Sequence, residues 1–140
     1  MHAGCVTTRL RVRFAETDAM GVANNAAYLT YLEVGRIEYL RAGGHSYADV
    51  RAGGIDMVVT HAELRYLRPL RFDDEFDVVC RLADVRPASF RFAYELRRGE
   101  ELCVRATTRH ACIEQETLRL VRVPAWLRAG DAEHAARAGC

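Results

Sequence analysis

Lysine is missing altogether: all 20 basic residues of the 140-residue chain are arginine. That excludes a Schiff-base lysine and the lysine of a phosphate-binding loop. Serine occurs only as Ser46 and Ser89, neither in a G-x-S-x-G elbow, so a nucleophile of the α/β-hydrolase type is excluded as well. Glycine-rich phosphate loops are absent. The histidines, His2, His45, His61, His110 and His134, show no H-x-x-x-H spacing, and no metal site is expected. Cys5, Cys80, Cys103, Cys112 and Cys140 are odd in number and never spaced C-x-x-C, which indicates neither a zinc ribbon nor a disulfide framework. Cys80, Cys103 and Cys112 are expected as small core or sheet residues. No apolar run approaches the roughly 20 residues of a membrane-spanning helix, and none precedes Cys5 as a signal peptide requires. No membrane span is therefore expected, and the cytoplasm is the expected location. A formal net charge of +1 gives no overall field to draw in nucleic acid, so no such partner is expected.

What is present suits one domain, large enough to bury roughly two-thirds of its unfolded surface. The chain is organised around Phe14 to Leu40, FAETDAMGVANNAAYLTYLEVGRIEYL. Asp18 and Gly21 lie in a short polar turn. Asn24 and Asn25 then lead into apolar residues at helical spacing, Tyr28, Leu29, Leu32, Gly35, Tyr39 and Leu40. Asparagine is a strong N-cap, and Gly43 and Gly44 suit a C-terminal stop, so a helix is expected from about Asn25 to Ala42. Its polar strip is thin, only Thr30, Glu33, Arg36 and Arg41, which predicts a largely enclosed helix.

The rest reads as strands. Leu10, Val12 and Phe14 alternate with Arg9, Arg11 and Arg13 ahead of the turn. A further helical turn fits Ser46 to Arg51. Met57 to Leu67 forms the next strand, closed by Pro69. Phe76 to Leu82 and Phe90 to Leu96 alternate with charged residues, and Gly99 turns the latter into a hairpin with Leu102 to Glu114. Leu118 to Val123 completes the set, and a loose tail is expected from Ala129. The fold class is α+β: an antiparallel sheet curled around one long helix, with a core of about residues 8–127.

The same residues carry a resemblance. Asp18, Gly21, Asn24, Asn25, Tyr28, Glu33, Arg36 and Glu38, followed by LRYLRPLRFDDE from Leu64 to Glu75, resemble the hotdog-fold acyl-CoA thioesterases of the 4-hydroxybenzoyl-CoA thioesterase type. Where such sequences often read Gly-His-Val-Asn-Asn, this chain has Gly21, Val22, Ala23, Asn24 and Asn25; where others carry a histidine before the helix, it has Asn25.

The resemblance implies a thioester hydrolase with Asp18 as nucleophile or general base and the backbone N–H near Asn25 polarising the carbonyl. Gly21, Val22, Asn24 and Tyr28 are then expected at the substrate. His61, on the strand bordering the helix start, either lines the pocket or is a plain sheet residue. A turn or capping role is the alternative for Asp18, and helix capping for the side chains of Asn24 and Asn25. The resemblance further implies no cofactor beyond coenzyme A as part of the substrate, and a homo-oligomer, dimer or tetramer, with sites at the subunit interface. An acyl-carrier-protein thioester as substrate, or an acyl-CoA-binding module without catalysis, are the alternatives.

Overall fold

Alternation of apolar and charged residues builds most of the sheet. The computed structural model describes residues 4–128; the expected tail from Ala129 lies outside them. Six strands are present among these residues: β1 Cys5–Arg11, β2 Ile55–Tyr66, β3 Glu75–Val85, β4 Phe90–Arg98, β5 Glu101–Glu114 and β6 Leu120–Val121. They pair antiparallel in the order β1-β3-β4-β5-β2, with β6 beside β5. Between β1 and β2 run a 3-10 turn, Phe14–Glu16, and two helices, α1 Asn25–Ala42 and α2 Tyr47–Ala52. No helix among the described residues is long and apolar enough to cross a membrane.

The inward residues of β3 and β4, Phe76, Val78, Cys80, Leu82, Phe90, Phe92, Tyr94 and Leu96, are all buried and face the α1 side chains Tyr28, Tyr31, Leu32 and Tyr39 within one core. Tyr31 meets Phe76 edge-on at 4.8 Å between ring centroids, and Tyr39 meets Phe92 at 5.3 Å. Gly35 sets the separation of helix and sheet. A Cβ there would stand 2.6 Å from Val78 Cγ1, so only glycine lets α1 lie this close to β3.

Three expectations need correction. The period-two pattern through Phe14 stops being a strand at Arg11, because Val12 turns to exchange backbone bonds with Asp73 and Asp74, and Phe14–Glu16 coils into the 3-10 turn. The helix is not enclosed: Asn25, Ala26, Leu29, Thr30, Glu33 and Arg41 are exposed, since a single sheet covers only one side of it. The last strand shrinks to two residues, with Leu118 at φ 58° breaking it. Cys80, Cys103 and Cys112 are buried free thiols, as expected of core or sheet residues, and Cys5 is disulfide-bonded.

A polar chain crosses this apolar interior. The Tyr94 hydroxyl and Thr108 Oγ1 are 2.5 Å apart, and Thr108 Oγ1 lies 2.7 Å from His110 Nε2. Burial, then the charge of Arg36, push the His110 pKa down to about 3. The ring is therefore neutral in the folded protein. Unfolding lets it take a proton below about pH 6.5, so stability is full above that pH and falls as the pH drops towards 3. The expected loss approaches 1.4 kcal/mol per pH unit across that window. Urea unfolding between pH 7 and 4 checks it: His110→Gln, which keeps an amide for Thr108, should flatten the slope. An unchanged slope would assign the acid sensitivity to other groups.

Candidate active site

The segment between β1 and α1 folds back on itself. Asn24 N–H donates to the Glu16 carbonyl at 2.9 Å, Thr17 bridges Ala23, and Asp18 N–H donates to the Val22 carbonyl at 2.9 Å. From the other side the stretch before β3 holds it. Ala23 N–H donates to Leu70 O at 2.8 Å and Phe72 N–H to Gly21 O at 3.1 Å, while Val22 bridges Arg71. Gly21 has φ +77°, a left-handed conformation that glycine adopts without cost. It closes the turn through its N–H to Asp18 O at 3.0 Å.

Asp18 is exposed, and its two carboxylate oxygens differ. Oδ1 accepts from Met20 N–H at 2.8 Å and, more weakly, from Val22 N–H at 3.4 Å. Oδ2 has no hydrogen-bond partner among the described residues. One oxygen shapes the turn and the other is left unbonded.

Asn24 is the N-cap of α1, with φ −80° and ψ 163°, and its side chain accepts from Ala27 N–H at 2.9 Å. Capping accounts for that amide. Asn25 is the first helical residue and is exposed, and its N–H belongs to the group for which a helix supplies no acceptor. A pocket of ≈ 270 Å³ opens here, lined by Ala23, Asn25 and Tyr28 on one side and by Tyr66 to Pro69 on the other. Tyr28 is buried, stacks edge-on with Tyr66 at 5.1 Å, and its hydroxyl accepts from Leu70 N–H at 3.2 Å. Burial, its leading influence, raises the pKa of that phenol, so it stays neutral.

Asp18, Gly21, Val22, Asn24, Asn25 and Tyr28 thus occupy one continuous turn and helix start. His61 does not join them. It is exposed at the irregularity between Val59 and His61 in β2, bonds to Thr60 Oγ1 at 3.0 Å, and is not part of the pocket wall.

Two supporting groups escaped the sequence reading. Glu16 Oε1 accepts from Arg13 N–H and from the Tyr31 hydroxyl, both at 2.8 Å, tying the turn to α1. Burial pushes that carboxyl up, but the Arg13 N–H, the Tyr31 hydroxyl and the Arg13 guanidinium outweigh it and hold it below the usual carboxylate range. Tyr31 is raised in turn by burial and by Glu16. The spacing from Arg13 to Glu16 was a visible local signal. Arg98 had none: it bonds Pro69 O at 3.1 Å, Asp74 Oδ2 at 2.7 Å and Glu101 Oε1 at 2.6 Å, buttressing the pocket wall from β4.

An antiparallel sheet curled around one long helix is the hotdog fold, on which thioester hydrolases are built. The chain belongs to the thioesterase-like superfamily, which it matches over residues 12–130. It is 28% identical over 121 residues to the acyl-CoA thioesterase YbgC of Haemophilus influenzae, covering 86% of this chain and 89% of that protein. A hypothetical protein of Thermus thermophilus superposes with a TM-score of 0.85 at 36% identity, over 91% of this chain and 98% of that one. A DHNA-CoA thioesterase of Staphylococcus aureus gives 0.85 at 26% identity, over 94% of this chain and 89% of that one.

Proposed function

We propose that this protein hydrolyses an acyl-CoA thioester to the free acid and coenzyme A, with Asp18 as nucleophile or general base. Backbone N–H groups at the start of α1, that of Asn25 first, polarise the carbonyl. The free Asp18 Oδ2, in the turn that leads into that helix, carries the reading. Either Oδ2 attacks the thioester carbon and water cleaves the resulting anhydride, or it takes a proton from the water that attacks. Both routes expel the CoA thiolate and consume one water. Magnitudes favour specific donors: a macrodipole contributes about 0.3–1 kcal/mol at an exposed site, whereas one oriented oxyanion donor is worth about 2.7–4 kcal/mol. Tyr28 lines the pocket that receives the thioester, while Gly21, Val22 and Asn24 build the turn and cap that hold Asp18 and the helix start in place. The enzyme works in the cytoplasm without metal or redox cofactor.

Thiol release over a panel of aliphatic and aromatic acyl-CoAs tests this; no release from any of them would leave only a binding module. An acyl-carrier-protein substrate is the second reading, because phosphopantetheine is common to both carriers. Turnover of one acyl group on the two carriers separates them.

We further propose a homodimer, or a tetramer of two dimers. Among the described residues β2 pairs only with β5, so its other edge is unpaired there over 12 residues, and Val59, Tyr66 and Leu67 are each about half exposed. Long open edges invite strand pairing, and Tyr66 and Leu67 also line the pocket, which a second copy would close. Light scattering at micromolar concentration should report at least a dimer, and a monomer would contradict the proposal.

A further inference from the structure

A second cavity, ≈ 200 Å³, lies under the middle of α1 and shares no wall residue with the pocket at the helix start. Arg36 lies eleven residues along the helix from Asn25, about 16 Å on its axis. Ile37 and Leu40 of α1, Met57 of β2, and Phe90 and Phe92 of β4 form its apolar walls. The two phenylalanine rings stand edge-to-face at 5.8 Å.

One cation faces this space. Arg36 lines the cavity, is partly withdrawn from solvent, and pairs with no carboxylate among the described residues. Glu33, three residues earlier at the rim, forms no ion pair with it and is exposed. A partly desolvated guanidinium without a counter-charge is costly, and its five donors exceed what one neighbouring phenol can accept. That phenol is Tyr94, whose hydroxyl feels the Arg36 charge. Tyr94 heads the buried chain through Thr108 to His110. His110, also in the wall, is neutral and brings no second positive charge.

We infer that this cavity binds a compact aromatic carboxylate, its ring between Ile37, Phe90 and Phe92 and its carboxylate on Arg36. An apolar cavity of about 150 Å³ accommodates benzene, so ≈ 200 Å³ has room for one ring and a carboxyl group. Edge-on and stacked ring contacts suit the phenylalanine walls, and a planar two-oxygen acid matches the guanidinium fork. A bulkier bicyclic acid exceeds the space. Binding here does not depend on hydrolysis at Asp18. If the proposed hydrolysis is correct, its product shares the carboxylate that this site recognises.

Benzoate is the probe, titrated calorimetrically and by NMR into the full-length native chain. Saturable binding with a dissociation constant of about 1 mM or tighter is expected, with shifts at Phe90, Phe92 and His110. Benzyl alcohol, the same ring without the charge, should bind about tenfold more weakly or not at all, a test that needs no mutation. Ile37→Trp, which fills the cavity while leaving Arg36, should abolish binding, and Glu33→Gln should strengthen it by removing the like charge at the rim. Asp18→Asn should leave it unchanged. No saturable benzoate binding, equal affinity for benzyl alcohol, or shifts confined to Ala23, Asn25 and Tyr28 would each overturn the assignment. Thiol release measured on the same samples keeps failure of this site distinct from failure of the hydrolase reading.

Discussion

Asp18→Asn is expected to abolish thioester turnover while leaving fold and substrate binding largely intact. The substitution is nearly isosteric, and an amide oxygen can still accept from Met20 N–H and Val22 N–H as Oδ1 does at 2.8 and 3.4 Å. The turn also retains its backbone bonds from Asp18 to Val22 and from Gly21 to Asp18. What disappears is the charge and basicity of the second oxygen, the one free for attack or proton transfer. Loss of a general base alone lowers rate by about 10²–10⁴. Thiol release, with circular dichroism as the fold control, measures it. A variant that keeps more than about a tenth of the native rate, a barrier change under roughly 1.4 kcal/mol, would remove Asp18 from the chemistry.

At Asn25 the side chain and the backbone can be separated by two substitutions. Asn25→Ala keeps the N–H and should retain most activity; the cap itself belongs to Asn24, so the stability cost should be below the 0.5–2 kcal/mol or so of a lost N-cap. Asn25→Pro deletes the N–H at the one helical position where proline is favoured. The residue before it is already compatible, since Asn24 at φ −80° and ψ 163° is in the extended region that a following proline requires. The fold should therefore survive while turnover falls roughly a hundredfold to a thousandfold, the cost of one oxyanion donor. Thermal melting must accompany the kinetics. A folded proline variant with near-native turnover would exclude this donor, and a dead alanine variant would move the role to the Asn25 side chain.

The sequence by itself determined the local elements. Helical spacing from Tyr28 to Leu40, with an asparagine before and glycines after, defined α1 at Asn25–Ala42 because propensity, capping and periodicity are short-range and agree there. The same holds for β3 and β4, where every second residue is buried. The turn from Asp18 to Asn25 was legible because its residue types and order resemble a known motif. Tertiary structure decided what depends on distant partners. Phe14 looked like a strand residue, yet the stretch around Asp73 and Asp74 ends the strand at Arg11. α1 seemed apolar enough to be enclosed, but its burial is set by how far one sheet reaches around it, and the side carrying Leu29 stays open. His61 sits mid-β2, whereas the sheet-side wall of the pocket begins at Tyr66, the last residue of that strand. The Arg98 buttress joins residues 24 and 29 apart, and the chain from Tyr94 to His110 becomes a single bonded unit only once β4 and β5 pair. Hydrogen bonds and charges act over a few ångströms of space, and only the folded chain makes those ångströms short.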